Sequence, residues 1–332
     1  MDLSQQDFEI AVANAYDKLN VAQKEMGKFI FGQGPIIEAA LMALLAGGHM
    51  LLIGVPGLAK TKLVSLLSKV IGMDHKRIQC TPDLMPADII GTEVLEEVDY
   101  GRRNFRFIPG PVFCQFLMVD EINRASPRTQ SALIQAMEEQ MVSLNGRERA
   151  LPSPFHVLAT QNPLEQEGTF PLPEAELDRF LIQITIDYPD LAAERAIVQA
   201  SMQTSPLMPK AAFFADDLKE MQTLTRQISI EPQLLNLIID FIRAGRPTAQ
   251  APSLVQNYVA WGPGPRATQA LSLAMCARAL LKGRTQATIE DLFALKDMVL
   301  KHRMALNYRA RADGITLDHV IEAMQKAALP AS

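Results

Sequence analysis

Hydrophobic positions in the first 190 or so residues fall into two alternating patterns. "PIIEAALMALLAGG" (35–48) has helical periodicity and ends on a glycine pair suited to a helix C-terminus. "HMLLIG" (49–54) is a short apolar run closed by Gly and Pro, as in a strand buried on both faces. "KTKLVSLLSKVIG" (60–72) then places Leu63, Leu66, Leu67 and Val70 on one helical face. Three further strands are expected in "FCQFLMVDE" (113–121), "FHVLATQNP" (155–163) and "RFLIQITIDY" (179–188). Helices between buried strands predict an α/β fold, a parallel sheet flanked by helices, with ligands at the carboxyl ends of the strands.

Two hairpins interrupt this alternation. "EVLEEVDYGRRNFRFIPGPVF" (93–113) turns near Tyr100-Gly101 and runs into the stiff loop Pro109-Gly110-Pro111. "MVSLNGRERAL" (141–151) follows the helical stretch "SPRTQSALIQAMEEQ", and its Asn145-Gly146 pair is a type I′ signal. Past Tyr188 the strand signals stop. Helices are expected in 190–202, 234–245, 267–283, 288–306 and 317–329, with Thr288 and Asp291 forming a capping box. Thr204 to Asp216 reads as a connector, and "APSLVQNYVAWGPGPR" as a loop holding the one Trp. The division expected is therefore an α/β core with N-terminal helices over 1–188, then a connector and an all-helical domain over 189–332.

Composition narrows the function classes. The 332 residues are 48% hydrophobic and 21% charged, with net charge −5, an ordinary globular balance. No global basic field exists to attract nucleic acid or anionic lipid, so neither is an expected partner. The start, "MDLSQQDFEI", lacks the pattern of a signal peptide. Ile36 to Val55 is apolar enough to suggest a membrane span, but Glu38, Gly47-Gly48 and His49 break it into helix, turn and strand. Cys80, Cys114 and Cys276 are far apart, which suits reduced thiols in the cytoplasm. The five histidines show no metal-ligand spacing.

The candidate chemistry gathers at the expected strand ends. "GVPGLAKT", Gly54, Val55, Pro56, Gly57, Leu58, Ala59, Lys60 and Thr61, followed by Lys62, nearly matches G-x-x-x-x-G-K-[ST]. Such a loop cradles phosphates with backbone N–H groups and a helix N-terminus; Lys adds charge and Thr a hydroxyl for Mg²⁺. Gly57 is expected at positive φ. Ala59, in the place of the last glycine, is small and keeps its N–H, provided its φ is negative. Asp120 ends the "FLMVD" strand, placed to hold Mg²⁺, and Glu121 can orient and deprotonate the attacking water. An acidic turn after a core strand is the bland alternative. A phosphate loop about 60 residues upstream argues against it. Asn162 could hold that water, or simply make a turn before Pro163. Arg179 stands just before the last strand. Arg266, in a helical first turn, opposes the macrodipole, which invites a functional explanation. Either could meet charge on a transferring phosphoryl group.

In this order the motifs resemble the AAA+ ATPases. "GVPGLAKT", "VDEINRA", "ALIQAMEE", "ATQNPLEQEGTFPLPEAELDRF" and "GPRATQAL" closely resemble the MoxR family within them, over roughly Gln33 to His302. Ala59 is usual in that family. The resemblance implies a P-loop NTPase core with a helix-2 insert hairpin and an all-helical lid. It implies ATP and Mg²⁺ as cofactors, with Lys60 and Thr61 as the phosphate-loop pair and Asp120 and Glu121 as the Mg²⁺ and water pair. Asn162 would be the first sensor, Arg179 the arginine finger offered to a neighbouring subunit, and Arg266 the second sensor, in cis or in trans. Arg124 and Arg128 would lie near the interface. "FIFGQ" (29–33), ending in Gln33, resembles the segment that packs against adenine. "VSLNGRERAL" is matched to the insertion in the second core helix. The implied protein is a homo-oligomeric, most often hexameric, ATP-driven remodelling chaperone. It would act in metal or cofactor insertion or complex maturation of a client, with a VWA-domain partner. The alternative is a nucleic-acid motor of helicase or restriction type, which the acidic balance opposes; a third reading is a nucleotide-gated scaffold without turnover.

Overall fold

The protein is described here from a computed structural model, which describes residues 4–55, 57–58, 60–98, 102–164, 167–202 and 208–329. The chain opens on α1 (Gln5–Gly27), whose N-cap Ser4 accepts from Asp7 N at 3.2 Å. It continues through α2 (Gly34–Leu45), β1 (Met50–Ile53), α3 (Lys60–Val70), β2 (His75–Gln79) and the one-turn α4 (Pro86–Ile90). Next come the hairpin β3 (Gly91–Val98) and β4 (Arg102–Pro109), then β5 (Phe116–Asp120) and α5 (Pro127–Glu139). A second hairpin follows, β6 (Met141–Leu144) and β7 (Arg147–Ala150), then β8 (His156–Gln161), α6 (Glu174–Leu177) and β9 (Ile182–Thr185).

Five strands form one parallel sheet in the order β2-β5-β8-β1-β9. Alternation splits its core in two. Met50, Leu52, Phe116, Met118 and Leu158 face α1, α2 and α3, while Leu51, Leu117, Val119, Val157 and Ala159 face α5. Every residue of α2 from Ala39 to Leu45 is buried. A helix apolar all round must be covered all round, and this explains the membrane-like look of 36–55. The sheet lies on one side of α2 and the helices of the second half on the other. The turn between α2 and β1 uses Gly47 at φ 71.

The second half comprises α7 (Leu191–Ser201), α8 (Ala215–Gln227), α9 (Pro232–Ala244), α10 (Ser253–Tyr258), β10 (Val259–Trp261), α11 (Pro265–Leu281), α12 (Ile289–Leu300), β11 (Ala305–Leu306), α13 (Tyr308–Ala312) and α14 (Leu317–Ala328). The Thr288 cap forms as expected, with Thr288 N donating to Asp291 Oδ2 at 2.8 Å.

Four expectations change. The strand signals do not stop at Tyr188: β10 and β11 pair antiparallel, and the segment around Trp261 is a short helix running into β10, not a loop. Strand β2 is absent from the pattern because it is an edge strand with Ile78 as its one buried residue. Part of the expected connector is helical, since α8 begins at Ala215. Lastly, β6 and β7 follow the helix after β5, so that hairpin cannot interrupt the second core helix. The hairpin between β2 and β5 that cuts α4 to one turn is β3–β4. The Asn145-Gly146 turn has both residues at positive φ, 50 and 76, as a type I′ turn requires. The Tyr100-Gly101 turn lies outside the described residues, as do residues 203–207 of the connector.

Candidate active site

The phosphate-loop sequence leaves the carboxyl end of β1 and enters α3 at Lys60. Gly57 has φ 88, the left-handed conformation expected of it. Gly54 is pressed against the chain following β9, where a Cβ would stand 3.0 Å from Ile186 O. Lys60 Nζ donates to Gly54 O at 2.7 Å. Thr61 and Lys62 are exposed on the first turn of α3, Leu58 is buried and Val55 half-buried. Pro56 and Ala59, with the negative φ expected at Ala59, lie outside the described residues. Gln33 caps α2 and accepts from Ile36 N and Ile37 N. Its neighbour Gly32 sits against α7, where a Cβ would meet Ala193 Cβ at 2.5 Å. The 29–33 segment is thus held at the phosphate-loop end of the sheet.

The carboxylates emerge two strands away. Thr160 Oγ1 donates to Asp120 Oδ1 at 2.9 Å and accepts from Glu121 N at 3.0 Å, which locks the end of β5 to β8. Asp120 is buried and faces Arg77 of β2. Glu121 has φ 56, an uncommon conformation for a non-glycine residue and one that gathers at functional sites. Its Oε2 accepts from Gln79 Nε2 at 2.9 Å and from Arg124 Nη1 at 3.1 Å. Arg128 is exposed on the first turn of α5. Asn162 is buried, its Oδ1 accepting from Leu164 N at 3.1 Å in a turn of its own. Burial first, then the charges of Asp120 and Glu121, push the Cys80 thiol up to about 12, so this cysteine stays protonated. Hard oxygens of a hydroxyl and a buried carboxylate, with a lysine and a helix N-terminus, suit a Mg²⁺-bound nucleoside triphosphate.

Arg179 and Arg266 are elsewhere. They share a cleft of about 320 Å³ with Glu138, Gly48, Arg226 and Arg303, at the amino end of β1. Glu138 pairs with both: with Arg179, and with Arg266 Nη2 at 2.5 Å. Arg179 Nε is buried without an acceptor among the described residues. Burial, and after it the charge of Arg266, lowers Arg179 below the usual arginine range. The amino terminus of α11 opens on this cleft and adds its partial positive charge. The cleft gathers Arg179, Arg226, Arg266 and Arg303 at the opposite end of β1 from Lys60.

Residues 49–182 match the family described as "ATPase family associated with various cellular activities (AAA)", and residues 251–324 match the AAA lid domain. The chain is 41% identical over 308 residues to chaperone MoxR1 of Mycobacterium tuberculosis, covering 92% of this chain and 81% of that one. It is also 32% identical to protein MoxR of Methylorubrum extorquens, with 86% of each covered. The chain belongs to the MoxR family of AAA+ ATPases. A crystal structure of an inferred ATPase from Cytophaga hutchinsonii superposes with a TM-score of 0.91 at 35% identity, over 100% of both chains. The MoxR fold is therefore an α/β AAA+ core with a helical lid. No helix among the described residues is long and apolar enough to cross a membrane.

Sequence reasoning missed Arg77, Gln79, Glu138, Asp178 and Arg303. Glu138 was in plain view inside "ALIQAMEE", but nothing local ties it to two arginines 41 and 128 residues downstream.

Proposed function

We propose that this chain hydrolyses ATP at sites shared between neighbouring copies of itself in a ring, and uses the cycle to remodel a client protein. One observation carries the reading: the phosphate loop follows β1, whereas the Arg179–Arg266 cleft precedes it. The four residues of β1 alone span about 13 Å at strand rise, so neither arginine serves the phosphates of its own subunit. Each subunit then carries two half-sites, which close only against neighbours, and a ring, most often hexameric, is the assembly that pairs them all. On this reading Arg266 acts in trans, as Arg179 does.

Lys60 and the backbone donors of the loop hold the phosphates. Thr61 and Asp120 would hold a Mg²⁺ ion, which would supply positive charge to the phosphate oxygens. Glu121 takes the proton of the attacking water, and Asn162 orients that water from the end of β8. Arg179 of the neighbour meets the charge that builds up as the bond breaks, an effect of about 10³ to 10⁵ in rate. The MoxR1 relative, named a chaperone, supports a remodelling role, and the family resemblance points to a VWA-domain partner and to client maturation in the cytoplasm.

The test is complementation. Lys60→Ala should lose ATP binding, and Arg179→Ala should bind ATP but hydrolyse it poorly. Mixed, the two should recover part of the activity, because some interfaces pair an intact loop with an intact finger. No recovery on mixing, or full activity from a strict monomer, would overturn the shared site.

A further inference from the structure

We propose that Arg303 is a positioning residue for the arginine finger: its buried guanidinium grips the residues flanking Arg179 and so fixes where that side chain points. The inference rests on the reading of Arg179 as a finger acting in trans.

Arg303 follows α12 in the helical half and is 2% exposed. Burying a guanidinium is costly unless its donors are matched. Here they are spent almost wholly on one short stretch. Nε donates to Asp178 Oδ1 at 2.8 Å, and Nη2 to Asp178 O at 3.1 Å and Phe180 O at 2.6 Å. Nη1 donates to Leu181 O at 3.0 Å and back to Val299 O at 2.6 Å. The neighbouring His302 Nε2 lies 2.9 Å from Phe180 O. The gripped residues stand on both sides of Arg179, in the turn between α6 and β9. There the backbone N–H groups are bonded to α6 and to His49 O, and Arg303 supplies donors to the carbonyls. Without Arg303 the carbonyls of Asp178 and Leu181 would lose these donors, and Phe180 O would keep His302 alone.

A simple staple between the two halves would need only the Asp178 ion pair. The fan of donors to the carbonyls of Asp178, Phe180 and Leu181, on either side of Arg179, does more. It ties the finger's backbone to the end of α12, so a shift of the helical half moves the finger with it. The fork geometry also selects arginine, since a lysine ammonium cannot reach acceptors spread across a plane. Burial pulls Arg303 down to about 10, against the opposing pull of Asp178, so it remains charged at neutral pH.

The experiment uses the full chain. Arg303→Lys should fold, assemble and bind ATP within about twofold of the parent, with kcat lowered roughly ten- to a hundredfold and KM little changed, as expected of a misplaced catalytic group. Mixed with Lys60→Ala it should recover part of the activity, as Arg179→Ala does, because Lys60→Ala subunits supply intact fingers; mixed with Arg179→Ala it should recover none. The double variant Arg303→Lys/Arg179→Ala should be no slower than Arg179→Ala alone. Should Arg303→Lys not fold, Asp178→Asn decides, because it removes the charge pair and leaves the carbonyl bonds; its kcat should fall several-fold with ATP binding kept. A folded variant with parental kcat, or a double variant with additive losses, overturns the proposal while the finger reading stands. If Arg179→Ala itself keeps full activity, it is the finger reading that falls, and the proposal with it.

Discussion

Arg77 donates to Asp120 Oδ2 through both Nε and Nη2, at 2.9 and 2.5 Å. The carboxylate proposed to receive Mg²⁺ is therefore already paired, by a side chain from the edge strand beside it. Arg77 is half exposed and Asp120 nearly buried, so the pair contributes about 0.2 to 1 kcal/mol. Mg²⁺ must compete with that pairing. Arg77→Met should lower the Mg²⁺ concentration needed for half-maximal nucleotide binding by up to about fivefold. Calorimetric titration with nucleotide at graded Mg²⁺ would read this directly. An unchanged or increased requirement would show that the pair does not compete with the ion.

Glu121 is held on two sides, by Gln79 and by Arg124, and its backbone is pinned by Thr160. Glu121→Gln keeps the size and an acceptor oxygen but cannot take a proton. Nucleotide binding and assembly should persist, while phosphate release falls by about 10² to 10⁴. If the variant still hydrolyses ATP at near the parental rate, proton removal belongs to another group.

What the sequence disclosed, and what it withheld, follows from the range of each interaction. β1, β5 and β8 were readable because burial on both faces leaves continuous apolar runs. The phosphate loop and the Asp120-Glu121 pair were readable because each is contiguous. β2 was not, since four of its five residues are polar or charged. Its functional side chains reach β5 only through a parallel pairing that sets Gln79 beside Asp120. The Arg303–Asp178 grip joins residues 125 apart, and no local pattern announces such a contact. That Arg179 precedes its strand while Lys60 follows another was already legible. With a parallel sheet expected, it implied opposite ends.

His49 and His156 are fully buried at the amino end of the sheet and stay neutral there. His49 Nδ1 accepts from Val157 N at 3.0 Å, leaving Nε2 to donate to Met137 O at 3.1 Å. His156 Nδ1 lies 3.0 Å from Gly48 O, with Nε2 facing Gln222. Burial lowers both to about 4. The unfolded chain binds their protons near 6.5, so between about 4 and 6.5 it holds more protons than the folded one and stability falls as pH falls. From pH 7 to pH 5 the loss should be about 2 kcal/mol for each histidine. His302, held well below the usual histidine range by burial and then by the charge of Arg303, pulls the same way. Urea unfolding at the two pH values would measure it; equal stability would mean these histidines are protonated in place.

Glu138 carries the remaining prediction. It sits between Arg179 and Arg266 and neutralises two side chains whose proposed task is to meet a neighbour's phosphate. A carboxylate there occupies the receptor until a stronger anion arrives, and it keeps two like charges together in the meantime. Removing it should open the cleft to free anions. Inorganic phosphate should then raise the melting temperature of Glu138→Ala more than that of the parent, at ionic strength matched with chloride. With one half-exposed carboxylate competing, the gain is about 1 kcal/mol, or roughly 2 °C for a chain of this size. Adding Arg179→Ala should abolish the extra stabilisation, because the anion then loses one of the two arginines that Glu138 had occupied. An equal phosphate response in parent and variant would mean that Glu138 does not guard the cleft, and that the neighbour's phosphate reaches these arginines without displacing it.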